Sequence, residues 1–367
     1  MDDGRISRRG LLQRTAGAAG GAFMIPIFVD FPAQTRRAYG AEDIRLTLPW
    51  IPEGEVAFMY VAQKRGFWAN RGLNVSITRG HGSGEAAKTV GLGQYDFGQA
   101  DMGVMMNSVG KGLKLVSIGV VNHKSPLCIV SRRELGIKSP RDLEGKKLGQ
   151  APGSGDAVLW PAFAAINKID VKKVTIVNVA GDVLTQSFLN KSVDAFGSFY
   201  QSSAPYLWAD KVDFNIMLYS DHGMDLYGLT FMTQPDRINR KQEQARQFVE
   251  GVMEGLKFSY LHPEESLDIF LSSVPETGKS PRDREIAGHS LAINTALGLV
   301  DYVQQNGLGW HKQEIVANTQ NTVVKYMGLK KAAPVNSLYA NDFVGKIKLT
   351  KEEWTQTREK VKRYLTT

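Results

Sequence analysis

The sequence predicts an α/β protein of two lobes, in which each lobe is a mainly parallel sheet with flanking helices and a ligand cleft lies between the lobes. Residues 46–101 alternate three short strands with two amphipathic helices, the pattern of a parallel sheet with crossover helices. Residues 132–226 repeat this alternation as a second unit. From residue 235 onward apolar residues recur at helical spacing, so we expect carboxy-terminal helices to complete the first lobe.

Apolar and β-branched runs that end in glycine, proline or polar turns predict the strands. These are 45–48, 73–78, 96–99, 114–121, 127–131, 146–150, 174–179, 192–197, 214–219 and 226–233. Apolar residues at helical spacing predict helices at 56–68 and 182–190, and one that begins at 152–156 and ends at 166. Three further helices are expected to begin at the turn 82–84, after Asp101 and at a cap formed by Ser139, and another to end at 209. The carboxy-terminal helices are expected at 240–261, 263–271, 281–300, 311–327 and 350–365.

The chain is expected to cross between the lobes twice, near 122–130 and near 226–233. The first lobe would then comprise residues 41–126 and 232–367, and the second residues 127–231. Ligands of parallel sheets bind beyond the carboxyl ends of the strands. The first three strands end at Trp50, at Gly82-Ser83-Gly84 and at Asp101, so we expect these residues to line one crevice.

The first 40 residues have the features of an export signal. Arg8 and Arg9 stand in the twin-arginine pattern Ser-Arg-Arg-Gly-Leu-Leu. The mildly apolar run at 16–29 is too short to span a bilayer, and Ala38-Tyr39-Gly40 is a small-x-small cleavage site. We expect residues 1–40 to be a twin-arginine signal peptide and the mature protein to be periplasmic. A membrane anchor or a disordered tail is the alternative.

Charge excludes one class of partner. The chain holds 45 basic and 37 acidic residues, a net charge of +8. Residues 1–40 contain six of the basic and three of the acidic residues, which leaves 39 against 34 and a net charge of +5 in the mature chain. No run of lysine and arginine is interleaved with aromatic residues, so nucleic acid is not an expected partner. The excess supports only a weak preference for anionic ligands.

The sequence contains no motif of a serine nucleophile, a zinc hydrolase or a phosphate-binding loop. Cys128 is the only cysteine, which excludes an intrachain disulfide and a thiolate zinc site, and its apolar neighbours indicate a buried thiol. His81 has no second histidine or carboxylate at metal-ligand spacing. We therefore expect no catalytic residues, metal or cofactor. The protein is expected to be a monomer.

Aromatic residues are the first candidates for the walls of a site. Trp50 follows a strand and a proline, where its ring would stack on a flat or apolar solute; packing between the lobes is the alternative. Phe199 and Tyr200 follow a strand of the second lobe and would form the opposite wall. Tyr227 and Asp225 lie at the second crossing. Asp225 is the only carboxylate that the sequence places near the expected site, although a surface position is favoured for it.

Small residues begin two helices that are expected to face the cleft: Gly82, Ser83 and Gly84 in the first lobe, Ser154 and Gly155 in the second. Small side chains let the backbone N–H groups of a helix start reach a polar or anionic ligand. An ordinary capped turn is the alternative at both places. Asp101 is expected to cap its own helix in preference to touching a ligand.

Several motifs together resemble one family. The chain is similar to periplasmic solute-binding proteins of ABC importers, in the group shared by sulfonate, taurine, nitrate and thiamine-pyrimidine binders. The motifs are Leu48-Pro49-Trp50, residues 60–68, Gly82-Ser83-Gly84, residues 95–101, Ser125-Pro126-Leu127, residues 136–149 and Val193-Asp194-Ala195. The resemblance covers roughly residues 44–275 and implies a two-lobed periplasmic binding protein, type II-like, that closes around a small solute.

The thiamine-pyrimidine branch looks closest, because of Trp50 and the Gly66-Phe67-Trp68 end of the first helix. In that branch an Asn-Glu pair is expected shortly after the strand near Gly197, whereas this chain has Phe199 to Pro205 without a carboxylate. Aromatic or heteroaromatic solutes, sulfonates and small carboxylates therefore all stay open as ligands.

The resemblance implies a receptor that captures a small aromatic, heteroaromatic or anionic solute and delivers it to an ABC permease in the inner membrane. Two other classes stay open. One is an enzyme like the related pyrimidine synthase, which would need a lysine–cofactor adduct. The other is a binding module that serves only as a sensor.

Overall fold

The structure of the protein is a computed structural model that describes residues 40–278, 280–329 and 331–364. The predicted signal peptide lies outside the described residues apart from Gly40. Within the described part of the chain, no helix is long and apolar enough to cross a membrane.

The strands follow the predicted order: β1 (Glu42–Thr47), β2 (Leu73–Thr78), β3 (Phe97–Asp101), β4 (Val116–Val120), β5 (Leu127–Arg132), β6 (Lys147–Gln150), β7 (Thr175–Asn178), β8 (Ala195–Phe199), β9 (Phe214–Leu218) and β10 (Leu229–Thr233). The α-helices are α1 (Ala57–Lys64), α2 (Ser83–Gly91), α3 (Met102–Gly110), α4 (Gly155–Ile166), α5 (Gly181–Leu189), α6 (Tyr200–Ala209), α7 (Pro235–Arg240), α8 (Gln242–Leu261), α9 (Pro263–Ser273), α10 (Pro281–Gly298), α11 (Asp301–Asn306), α12 (Gln313–Tyr326) and α13 (Lys351–Val361).

The strands form two five-stranded mixed sheets, in the orders β2-β1-β3-β10-β4 and β7-β6-β8-β5-β9. In the first sheet β1 pairs in parallel with β2 and β3, and β10 runs antiparallel to β3 and β4. In the second sheet β6 pairs in parallel with β7 and β8, and β5 runs antiparallel to β8 and β9. Four strands of each sheet thus share one direction, and one strand opposes them.

The opposing strands are those that enter a sheet directly from the other lobe. The chain leaves β4 at its carboxyl end and enters β5 through 121–126, and it leaves β9 and enters β10 through 219–228. A strand that starts at the edge where its neighbours end has to run against them. The same geometry brings the carboxyl ends of both sets of parallel strands to one cleft, where ligands of such sheets bind.

The two crossing segments lie side by side and are hydrogen-bonded to each other. The Gly228 N–H donates to the Asn122 carbonyl at 2.9 Å, and the Val121 N–H donates to the Leu229 carbonyl at 2.8 Å. A Cβ on Gly228 would lie 2.4 Å from Cδ of Pro126, so only glycine allows the two chains this approach. The predicted boundary at 231/232 falls inside β10, which begins at Leu229.

The first helix is shorter than predicted. It ends at Lys64, and Gly66 adopts a positive φ of 74°, a left-handed conformation that terminates helices. The chain then turns through a 3₁₀ segment, Ala69–Arg71, and buries Trp68 against α8. The Trp68 ring stacks on Phe248 at a centroid distance of 5.6 Å and anchors the core of the first lobe.

The carboxy-terminal helices pack against both lobes. Helix α10 lies along α6 of the second lobe and against the 3₁₀ turn Gly54–Val56 of the first. Helix α12 packs on α3 and α4. The Cys128 thiol is buried as predicted, within the core under β5.

Candidate functional site

A cavity of about 390 Å³ lies between the two lobes. Its lining includes six residues of the predicted site: Trp50, Gly82, Ser83, Ser154, Gly155 and Phe199. Side chains from α5, β8 and α6 complete the second-lobe wall. Five predicted residues lie outside the lining: Gly84, Asp101, Tyr200, Asp225 and Tyr227.

Trp50 forms the first-lobe wall and touches the second lobe. The turn that carries it is held by two backbone hydrogen bonds, from Gly80 N–H to the Trp50 carbonyl and from Gly82 N–H to the Pro49 carbonyl, both at 2.8 Å. Its indole reaches across to the first residue of α5, because a Cβ on Gly181 would lie only 2.0 Å from Cη2 of the ring. The cleft is therefore closed at this point.

A second contact closes the cleft beside α2. The Gly84 N–H donates to the Gly153 carbonyl at 3.0 Å, and a Cβ on Gly82 would lie 2.5 Å from that oxygen. The Gly84 N–H is thus already bonded to the other lobe, which is why Gly84 does not offer it to the cavity. Ser83 does line the cavity, and its hydroxyl accepts a hydrogen bond from the Asp101 N–H at 3.1 Å.

Asp101 is the amino-terminal cap of α3. Its Oδ1 accepts from the Gly103 N–H at 2.8 Å and from the Val104 N–H at 3.2 Å. The side chain is fully buried, and burial raises the pKa of its carboxyl to about 7. The capping role that the sequence favoured is confirmed, and Asp101 does not reach the cavity.

Phe199 and Tyr200 point to different sides of the second lobe. Phe199 ends β8 and covers Gly155, where a Cβ would lie 2.7 Å from Cε1 of the ring. Tyr200 begins α6 and packs edge-on against Trp208 at 6.1 Å. Consecutive residues at a strand end face opposite sides, so Tyr200 is not the second cavity wall.

Asp225 and Tyr227 lie on the far side of the second crossing. Asp225 is exposed, and its carbonyl accepts from the Asn318 side chain at 2.9 Å. Tyr227 is buried, and its hydroxyl accepts from the Lys312 N–H at 2.8 Å and from the Tyr302 hydroxyl at 3.0 Å. Both residues support the crossing and the carboxy-terminal helices, away from the cavity.

The interpretation of Asp225 as the only carboxylate near the site is wrong. Three buried carboxyl groups line the cavity, and we call them the cleft acids: Glu53, Glu55 and Asp156. Glu53 and Glu55 flank Gly54, where a Cβ would lie 2.0 Å from the Ala287 carbonyl of α10. The packing of α10 on this glycine turns both glutamates inward.

The electrostatics of the glutamate pair are unusual. Ser290 Oγ donates to Glu55 Oε2 at 2.8 Å and accepts from the Glu55 N–H at 3.0 Å. Burial nevertheless raises the pKa of Glu55 to about 7. Burial and the charge of Glu55 raise the pKa of Glu53 well above its usual range, although the hydroxyls of Ser202 and Tyr206 lie beside it and favour its ionised form. Oε2 of Glu53 has no hydrogen-bond partner.

Asp156 presents a third carboxyl from the second lobe. Burial raises its pKa to about 6, and its Oδ2 has no hydrogen-bond partner. A Cβ on Gly197 would lie 2.1 Å from that oxygen, so the glycine makes room for the carboxyl. Ser154 caps α4, the alternative that the sequence left open for it, since its hydroxyl accepts from the Ala157 N–H at 3.4 Å.

One basic side chain lines the cavity within the described residues, and it is paired. Arg282 Nη2 donates to Asp210 Oδ1 at 2.6 Å at the rim. No group of histidine, cysteine and acidic side chains in the described ranges is arranged to hold a metal ion. The cavity therefore combines an indole wall with an excess of carboxyl groups.

Comparisons with known proteins agree with this architecture. A family model described as NMT1/THI5 like matches residues 53–266. The chain is 20% identical over 308 residues to a riboflavin-binding protein of Chloroflexus aurantiacus, and the aligned region covers 83% of this chain and 86% of that protein. It is 22% identical over 235 residues to a 4-amino-5-hydroxymethyl-2-methylpyrimidine phosphate synthase of Legionella pneumophila, and the aligned region covers 64% of this chain and 74% of that protein.

Among solved structures, the alkanesulfonate-binding protein SsuA of Xanthomonas axonopodis pv. citri, bound to MOPS, superposes with a TM-score of 0.62 at 12% identity. The superposition covers 83% of this chain and 100% of that protein. This likeness concerns the fold alone and confirms the predicted two-lobed binding-protein architecture.

Proposed function

Because this chain belongs to the NMT1/THI5-like family, we propose that it is the solute-binding receptor of an ABC import system. It works outside the cytoplasmic membrane as a monomer, captures a small aromatic or heteroaromatic solute and delivers it to a membrane permease. The observation that supports this most directly is the cavity of about 390 Å³ between the lobes, with Trp50 of one lobe closing on Gly181 of the other. Clefts of this size with an aromatic wall suit small organic ligands.

Capture would work by closure about the two crossings. In an open form Trp50 and Gly181 separate, and the hydrogen bond from the Gly84 N–H to the Gly153 carbonyl is lost. A solute favours the closed form only through contacts that the open form lacks. Contacts with both lobes at once, to Trp50 on one side and Phe199 on the other, are of that kind. The closed form is then the one a permease recognises.

An enzyme is the second candidate, because one relative is named as a pyrimidine phosphate synthase. The adduct expected for such an enzyme needs a lysine at the site. No lysine belongs to the cavity lining in the described residues, so the cavity offers no amine for that adduct. A receptor agrees better with this lining.

The test is native mass spectrometry of protein purified from its own periplasm without refolding. We expect a retained small molecule that is released chemically unchanged, and whose uptake by cells is lost when the gene is deleted and restored by the wild-type gene. A retained compound that the protein converts to another, or a visible absorbance band of a bound coenzyme, would overturn the receptor proposal. Uptake that persists in the deletion strain would also overturn it.

A further inference from the structure

We propose that the cleft selects a planar cation with at least two N–H donors, of the amidinium class, and rejects anions. This inference rests on the proposed receptor function and adds the charge of its solute. It differs from the mild preference for anions that the net charge of the chain suggests, because the local charge of the cavity is opposite to the global one.

The first observation is the balance of charged groups around the cavity. Glu53, Glu55 and Asp156 line it from the buried interior, and Asp182 lines it at an exposed position near the mouth. Arg282, the basic group in the lining of the described residues, is bonded to Asp210. An anionic solute would find no free basic group in this part of the lining, and each carboxyl that ionises there would repel it, because like charges at close range in a buried site repel strongly.

The second observation is a pair of buried oxygen atoms without partners. Oε2 of Glu53 and Oδ2 of Asp156 lack hydrogen-bond donors, and their residues are only 7% and 2% exposed. Buried polar atoms in folded proteins are nearly always bonded. The two oxygens come from opposite lobes, so a ligand that donates an N–H to each would join the lobes in the closed form.

The third observation is the shape and chemistry of the wall. Trp50 presents an aromatic surface at the cavity, and Phe199 lines the second-lobe side. A tryptophan face attracts cations as well as flat rings. A planar cation suits both the aromatic wall and the unpaired carboxyl oxygens, because its face lies on the indole while its edge donates to the carboxyl groups. A carboxylate forms a stronger hydrogen bond with a charged donor than with a neutral donor.

Three probes of the same shape and different charge test the inference: benzamidinium, benzamide and benzoate. Protein freed of its retained solute would be titrated with each at about pH 8 by calorimetry, with Trp fluorescence as a second readout. We expect benzamidinium to bind at least about tenfold more tightly than benzamide, since a charge-assisted hydrogen bond exceeds a neutral one by that factor. We expect no measurable binding of benzoate.

Two isosteric variants assign the effect to its residues. Glu53→Gln and Asp156→Asn should each weaken benzamidinium binding by about tenfold or more and leave benzamide binding within about twofold. Retained benzamide binding shows that each variant is folded. Glu134→Gln is the matched control, because Glu134 is a 59% exposed side chain outside the cavity lining and its loss should change no affinity.

Benzoate binding as tight as that of benzamidinium would overturn the charge inference, as would no response to benzamidinium or an unchanged preference in both variants. These outcomes leave the receptor proposal standing, because that proposal is judged by the retained solute and by uptake. Conversion of a retained compound would overturn the receptor proposal whatever the order of the three probes.

Discussion

The indole of Trp50 in the first lobe lies on Gly181 in the second, so closely that a Cβ on the glycine would be 2.0 Å from the ring. This contact joins the turn that follows β1 in the first lobe to the start of α5 in the second lobe. Because Gly181 has no side chain, Trp50 can approach it this closely and the cleft can close.

Gly181→Val should therefore hold the cleft open. The added side chain occupies space that Trp50 needs in the closed form, and we expect solute affinity to fall by at least about tenfold. Small-angle scattering should show no contraction on addition of the retained solute. Gly288→Ala is the control, because its Cβ would meet its nearest neighbour, Leu267, at an ordinary 3.5 Å. Contraction and full affinity in the valine variant would contradict closure on this contact.

Trp50→Ala should weaken solute binding without unfolding the protein. Loss of an aromatic contact costs roughly 0.5–1.5 kcal/mol beyond area burial, and the lost area adds to it, so affinity should fall by at least about tenfold. The melting temperature of the ligand-free protein should barely move, because Trp50 is only partly buried.

Trp68→Ala is the matched comparison for this prediction. Trp68 is 1% exposed and stacks on Phe248, and truncation of such a ring costs about 3–5 kcal/mol of stability. Calorimetric melting of both variants separates the two roles. A large loss of stability in Trp50→Ala with retained affinity would show that Trp50 is a core residue.

The cleft acids should make the protein more stable in mild acid. The pKa of Glu55 is raised to about 7 in the folded protein, so between about pH 4.5 and 7 the folded state keeps a proton that the unfolded state releases. This contribution is complete below about pH 4.5 and is lost as the pH rises through 7. Glu55→Gln should match the wild type near pH 4 and exceed its unfolding free energy near pH 8 by on the order of 3 kcal/mol.

Urea unfolding at several pH values measures this difference. Glu134→Gln is again the control, because Glu134 is 59% exposed and lies outside the cavity lining. Parallel profiles for Glu55→Gln and the wild type would show that Glu55 is not destabilised by its burial.

A buried histidine acts in the opposite direction. Burial and the neighbouring His311 lower the pKa of His123 to about 3, and its Nδ1 lies 2.9 Å from the Tyr302 hydroxyl. Its contribution is complete above about pH 6.5 and is lost as the pH falls towards 3, because only the unfolded state takes up the proton in that range. At pH 5 the loss is about 2 kcal/mol.

His123→Phe removes this dependence and tests it. The variant should be less stable than the wild type at about pH 7, where the hydrogen bond to Tyr302 is lost, and the gap should shrink by about 2 kcal/mol at pH 5. A gap that stays constant between the two pH values would mean that His123 keeps an ordinary pKa.

Replacement of both Arg8 and Arg9 by lysine should leave the precursor in the cytoplasm. A receptor reads the twin arginines as a pair and does not respond to net charge. Fractionation and immunoblotting of precursor and mature forms measure the effect. Normal export and cleavage of the double variant would show that residues 1–40 are not a twin-arginine signal.

Local patterns in the sequence predicted most of the elements. Alternating polar and apolar residues located β2 at its observed ends, and small residues at 152–156 located the start of α4, which ends at Ile166 as predicted. The position of Trp50 just beyond a strand was enough to place it at the cleft, because the carboxyl ends of parallel strands meet at one edge. These features depend on neighbours along the chain, so the sequence alone determined them.

The chemistry of the cleft depended on contacts between distant parts of the chain. Glu53 and Glu55 face inward because α10 packs on Gly54, and Asp156 fits because Gly197 has no side chain. In the sequence, Pro52-Glu53-Gly54-Glu55 resembles any acidic turn before a helix. The lack of a nearby basic partner was the only sequence feature that could have indicated that these glutamates face the cavity. Glu55 is held by Ser290 of α10, 235 positions away, and Asp156 is accommodated by Gly197 of another element, so only the tertiary structure could show that the cavity is acidic.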